Sequence, residues 1–264
     1  MSAPVPQERL QTPQERLQTP QERLQTSQDP AQPRPRVRVK ICGLSREEDI
    51  AAVNRYLPDY IGFVFAPSRR QVAPERARKL KSLLDGRIQA VGVFVNETIP
   101  TIAAICREGI IDLIQLHGEE GEAYIRELKA AVGCPVIKAV RIKPAASQAA
   151  ADELETATSR AAADERVAAD ELTAADRLPC DLLLLDSWRE GMYGGSGETF
   201  DHAQIPVLKK PWFLAGGLNE SIIREVLAAG RIRPFGLDVS SGAETGGLKD
   251  EDKIRRILEA ARKG

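Results

Sequence analysis

Two short apolar runs in this chain each end in one chemically capable side chain. Val37-Arg-Val-Lys-Ile-Cys-Gly43 offers a thiol at Cys42. Leu182-Leu-Leu-Leu-Asp186 offers a carboxylate. A thiol and a carboxylate facing each other supply a general base and a general acid without metal or cofactor. Strand alternation puts Val37, Val39 and Ile41 on one face and Arg38, Lys40 and Cys42 on the other. The aliphatic face suits packing against helices, which leaves Lys40 and Cys42 on an inward face. An ammonium beside the thiol would favour thiolate, the competent base. The plainer alternative for Cys42 is a buried structural cysteine; for Asp186 it is a turn or cap residue. A carboxylate is costly inside an apolar core, so the strand-end position weights Asp186 toward proton donation.

Further candidates lie where other apolar runs end. Arg69 and Arg70, in APSRRQV, could fork a substrate carboxylate or be a solvated loop pair. His117, in QLHG, could donate a hydrogen bond or simply brace its own loop. Gly216 and Gly217 close the run LAGG, and Asp238, Ser240, Ser241 and Gly242 lie in DVSSG. Glycines and hydroxyls in two such loops suit an anion held by backbone N–H groups. The GGSG at 194–197 is a flexible turn or a ligand-apposed loop. Cys106 and Cys134 fall in or near helical stretches and are assigned to packing.

Eight β-branched or leucine-rich runs carry these residues: VRVKICG, YIGFVFA, QAVGVFVN, IDLIQLHG, PVIKAVRI, DLLLLDS, WFLAGGL and FGLDVSSG. Between them lie stretches such as REEDIAAVNRY, PERARKLKSLLD, EAYIRELKAAV, ESIIREVLAAG and DEDKIRRILEAARK, with apolar residues at three- and four-residue spacing. Eight regular strand–helix units predict a (β/α)8 TIM barrel, α/β in class, with outer helices. A barrel uses the C-terminal ends of its strands for chemistry and the loops after strands seven and eight for phosphate. The competing architecture, a doubly wound open sheet, would carry a glycine-rich fingerprint after strand one, where only Gly43 stands.

Two segments lie outside this pattern. Residues 6–26 are three copies of Pro-Gln-Glu-Arg-Leu-Gln-Thr. The seven-residue period is no coiled coil, because Pro13 and Pro20 would break the helix and each repeat has one large apolar residue. Residues 1–36 therefore read as a disordered tail, and 37–264 as the catalytic domain. An Ala/Asp/Glu-rich stretch at 145–177 reads as an exposed helical extension of the fifth helix.

Composition narrows the partners. The formal charge is −1, which favours neither nucleic acid nor an anionic membrane surface. No apolar run approaches the ~18 residues of a membrane span. Four cysteines without a CxxC pair, and two histidines, give little basis for zinc. A reducing, cytoplasmic setting is expected.

Taken in order, VKICGL, GFVFAPSRR, VGVFVNE, IQLHGEE, VIKAV, LLLLDS, GGSGETFD, LAGGLN and DVSSGAE…KD resemble the phosphoribosylanthranilate isomerases of tryptophan biosynthesis. The resemblance runs from about Arg38 to the C-terminal helix. It implies a cofactor-free Amadori rearrangement of N-(5′-phosphoribosyl)anthranilate, by a monomer or homodimer. It implies Cys42 as base and Asp186 as acid. Arg70, or its neighbour Arg69, would meet the anthranilate carboxylate; this loop is one residue shorter than the family's common form. Gly216, Gly217, Ser240, Ser241 and Gly242 would hold phosphate, and Asp238, His117 and Lys40 fall on family positions. Other phosphate-binding barrels fit less well. Indole-glycerol-phosphate synthase depends on catalytic lysines and an N-terminal helical segment, and pentose-phosphate epimerases on metal-ligating histidines. The sister isomerase of histidine synthesis uses paired aspartates. A non-catalytic binding protein recruited through the tail is the remaining alternative.

Overall fold

The structure, a computed structural model, describes residues 36–142, 168–186 and 205–263. The tail at 1–35, residues 145–167 of the extension and the GGSG loop lie outside the described residues. Eight parallel strands run in chain order: β1 (Arg38–Cys42), β2 (Tyr60–Val64), β3 (Gln89–Phe94), β4 (Leu113–Leu116), β5 (Val136–Arg141), β6 (Leu182–Asp186), β7 (Trp212–Ala215) and β8 (Gly236–Val239). β8 pairs back onto β1, with Lys40 opposite Asp238, and the sheet closes into a barrel. Closure removes the open-sheet alternative.

The strands are buried almost throughout, as both faces of a parallel sheet must be covered. The outer layer includes α1 (Glu47–Tyr56), α2 (Pro74–Ser82), α3 (Ile99–Arg107), α4 (Glu122–Ala131), α5 (168–175), α6 (Glu220–Ala229) and α7 (Glu251–Lys263). Local chemistry fixes their ends. Asn219 caps α6 by accepting from the Ile222 N–H, and Gly230 closes it with a left-handed φ of 61°. Asp49, in the first turn of α1, accepts from the Ser45 and Arg46 N–H groups. α5, within the predicted extension, buries Leu172 and Ala175 against the core.

The lumen is filled from opposite walls. Low in the barrel the Phe213 ring of β7 meets Tyr60 of β2 edge-on, centroids 5.5 Å apart, and Phe235 at 5.4 Å. β2 and β7 are not neighbours, so the Tyr60–Phe213 contact crosses the interior. Gly236 makes room for it: a Cβ there would lie 2.4 Å from Phe213 Cε1. Phe213→Ala should remove this plug and cost about 3–5 kcal/mol of stability, read from urea unfolding. A loss below 1 kcal/mol would mean that the lumen floor is not under packing control.

Candidate functional site

β1 delivers Cys42 to the C-terminal mouth, and two glycines make the space it occupies. At Gly62 on β2 an added Cβ would lie 2.7 Å from Cys42 Sγ. At Gly43, where φ is +84°, one would lie 2.4 Å from Arg70 Cδ. The Arg70 side chain therefore lies over the strand end next to the thiol. Below Cys42, Lys40 points into the lumen with no solvent exposure. Its Nζ donates to Asp238 Oδ2 at 3.0 Å and to Gln115 Oε1 at 2.7 Å, and its charge acts on the neighbouring Cys42. β1 and β4 are not neighbours, so the Lys40–Gln115 bond spans the barrel.

The expected effect of Lys40 on the thiol is present but is outweighed. Burial pushes the Cys42 thiol up from its ordinary value; the Lys40 and Lys249 ammoniums oppose this without overcoming it. Burial would likewise depress Lys40, but the Asp238 carboxylate and Cys42 carry it upward overall.

Asp186 ends β6 on the same rim, partly exposed. Its Oδ2 lies 3.3 Å from His117 Nε2, and His117 Nδ1 lies 3.0 Å from Gln115 Nε2. The loop holding His117 is pinned from below. Buried Lys138 donates to Glu120 at 2.8 Å, and Glu120 accepts the Gly118 and Asn96 N–H groups. His117 thus sits on a braced loop with its Nε2 toward Asp186.

Arg69 and Arg70 are not a solvated pair. Arg70 binds Glu244 through Nε at 2.7 Å and Nη2 at 3.0 Å, and Arg69 reaches Glu244 Oε2 at 2.6 Å. Lys249 Nζ joins at 2.7 Å. Glu244 and Lys249 face each other across a small hairpin, β9 (Glu244–Thr245) and β10 (Leu248–Lys249), turned by Gly246 and Gly247 at positive φ. Burial alone would raise the Glu244 carboxyl, but the hydrogen bonds from Arg70 and Lys249 hold it down at about 2. Three cations around one carboxylate leave a surplus of two positive charges at the rim.

The two glycine loops after β7 and β8 meet. A Cβ on Gly242 would lie 1.9 Å from the Leu218 carbonyl oxygen, so only glycine permits this approach. Gly216 and Gly217 take φ of 95° and 65°. Ser240 Oγ donates to the Cys42 carbonyl at 3.2 Å, tying the β8 loop to β1, and Ser241 and Gly242 sit in the 3₁₀ turn Ser241–Ala243. Cys106 lies in α3 and Cys134 just after α4; both pack against the core.

Three contributors escaped the sequence reading: Gln115, Glu244 and Lys249. Gln115 stands two residues before His117, hence on the same face of its strand. Glu244 and Lys249 lie inside the motif DVSSGAE…KD, but only the folded hairpin brings them to the arginines.

A closed (β/α)8 barrel whose rim gathers a thiol, a carboxylate, an imidazole and a surplus of cations defines an acid–base catalyst for a small anionic molecule. Residues 39–260 match the family model described as N-(5′-phosphoribosyl)anthranilate (PRA) isomerase. The chain belongs to that family. An N-(5′-phosphoribosyl)anthranilate isomerase of Lachnoclostridium phytofermentans is 41% identical over 238 residues, spanning 85% of this chain and 97% of the relative. The Thermotoga maritima phosphoribosyl anthranilate isomerase structure is 34% identical with a TM-score of 0.64, over 86% of this chain and all of that one. A phosphoribosyl anthranilate isomerase in complex with reduced 1-(o-carboxyphenylamino)-1-deoxyribulose 5-phosphate is 31% identical with a TM-score of 0.62, again over 86% and 100%.

The depressed Glu244 carboxyl carries a pH signature. It binds fewer protons folded than unfolded, so its contribution is present above the ordinary glutamate value near 4.5 and is lost as pH falls toward 2. Wild type should therefore lose on the order of 3 kcal/mol more stability than Glu244→Gln between about pH 5 and 2. Parallel acid-unfolding curves would contradict the cluster.

Proposed function

We propose that this chain converts N-(5′-phosphoribosyl)anthranilate to 1-(o-carboxyphenylamino)-1-deoxyribulose 5-phosphate, with Cys42 as general base and Asp186 as general acid. The observation that carries the reading is their joint position on one rim, Cys42 ending β1 and Asp186 ending β6. Asp186 protonates the ribose ring oxygen, and the lone pair of the anthranilate nitrogen forms C1′=N⁺ as the C1′–O bond breaks, giving an iminium conjugated to the aromatic ring. Cys42, as thiolate after its own proton has passed to solvent, takes the C2′ proton, leaving an enolamine that tautomerises to the ketone. The iminium acidifies that proton and adds positive charge beside the thiol, working with Lys40 and Lys249 against the burial that disfavours thiolate.

Binding follows the charges. Arg70, half-covered and lying over Gly43, is the better carboxylate partner; Arg69 is the more exposed of the pair. The abutting loops at Gly216, Gly217, Ser240, Ser241 and Gly242 suit the phosphate, with backbone N–H groups that glycine leaves accessible. Asp238 spends Oδ2 on Lys40, while Oδ1 is buried with no hydrogen-bond partner among the described residues, which suits a sugar hydroxyl. All these residues come from one chain, so the reading needs no second copy. Among the described residues no helix is long and apolar enough to cross a membrane, in keeping with a small-molecule enzyme of the cytoplasm.

The test follows the fluorescence of phosphoribosylanthranilate, generated in situ, as the protein consumes it without added metal. Wild type should consume it. Cys42→Ala and Asp186→Ala should each lose roughly 10²–10⁴-fold in kcat, with unchanged circular dichroism. Turnover near the wild-type rate in either variant would sink the corresponding role.

A further inference from the structure

Gln115 is buried, has no role of its own in the proposed chemistry, and yet stands between the lumen cation and the rim. Its neighbours leave it one orientation. The Lys40 ammonium can only donate, so the amide atom 2.7 Å from Nζ is the oxygen, Oε1. The –NH₂ end, Nε2, then faces His117 Nδ1 at 3.0 Å. An amide –NH₂ can only donate, so Nδ1 accepts and carries no proton. A neutral imidazole with a bare Nδ1 holds its hydrogen on Nε2. Nε2 is the nitrogen 3.3 Å from Asp186 Oδ2.

We propose that Gln115 is a positioning residue for the isomerisation: it fixes His117 as the Nε2–H tautomer, which turns that N–H toward Oδ2 of Asp186, 3.3 Å away, and leaves the acid's proton to the other carboxyl oxygen. A carboxylic acid has one transferable proton and two places to carry it. An N–H facing Oδ2 disfavours a proton on that oxygen and leaves it to Oδ1. The opposite tautomer would set a lone pair against Oδ2, drawing the proton there and away from the substrate. The chain of contacts from Asp238 through Lys40, Gln115 and His117 to Asp186 therefore has a single direction, set by an ammonium that cannot accept.

This inference rests on Asp186 being the acid, and the experiment keeps the two apart. The full chain carries two histidines, His117 and His202. In ¹⁵N-histidine-labelled protein, long-range ¹H–¹⁵N correlation distinguishes a protonated from a bare ring nitrogen, and His202→Asn assigns the remaining signals to His117. The expected wild-type spectrum has Nε2 protonated and Nδ1 bare. Gln115→Glu replaces the –NH₂ donor by an acceptor, so Nδ1 should become protonated and kcat should fall at least about tenfold with KM within about twofold. A wild-type spectrum with the proton on Nδ1 overturns the proposal without reference to any variant's folding. So does a Gln115→Glu protein that changes only the spectrum or only kcat: the first uncouples tautomer from catalysis, the second leaves Gln115 a packing role. Failure of Asp186 as acid would be seen separately, as turnover retained in Asp186→Ala.

Discussion

The architecture turns on one ammonium with no access to water. Removing a unit charge from water costs several kcal/mol even after relaxation, so a lumen lysine persists only where its three donors are met. Lys40 donates to Asp238 on β8 and Gln115 on β4, and its charge lies beside Cys42 on its own strand. Those partners in turn determine much of the rim. Asp238 ties β8 to β1, Gln115 carries the contact on to His117, and Cys42 feels the charge directly. A buried ion pair is weak grounds for stability, because apolar replacements of the same shape are often neutral or better. Its presence in a lumen that Phe213 and Tyr60 otherwise fill with rings therefore argues for a task in the chemistry.

The rim continues the same electrostatic logic with better access to solvent. Glu244 gathers Arg69, Arg70 and Lys249, yet cannot neutralise them. The surplus sits at the edge of a low-dielectric mouth, where an anion is worth more than in bulk water. Glu244 also holds Arg70 bidentately, the geometry a substrate carboxylate would use. The arginine is thereby kept extended over Gly43, and less side-chain entropy remains to be lost when a ligand arrives.

Fold and reactive groups were legible to different depths, for physical reasons. All eight strands were readable because parallel strands covered on both faces leave near-continuous apolar runs, and Cys42 and Asp186 stood out as the polar ends of two of them. The inward face of β1 followed from period two alone. The consequence of burial for Cys42 did not: sequence places Lys40 beside the thiol but gives no measure of the desolvation that outweighs it. Nor could spacing tell a solvated Arg69–Arg70 pair from a bound one, since their partner lies more than 170 positions away in the chain. Gln115 was invisible for a third reason. A neutral amide has no reactivity of its own, and its role exists only in the direction of its hydrogen bonds.

Under the proposed mechanism, the burial that disfavours thiolate is no obstacle to a base at Cys42; it follows from placing the base where a carbon acid can be reached. A solvated thiolate would be more abundant but better hydrated, and hydration must be shed before it can approach a C–H bond. Burial shifts that cost into the resting enzyme, and the neighbouring charges limit its size. Lys40 and Lys249 act at all times, while the cationic intermediate exists only after the acid has opened the sugar ring. In the proposed mechanism the base is thus favoured in its reactive form at the step that needs it, which couples the second proton transfer to the first.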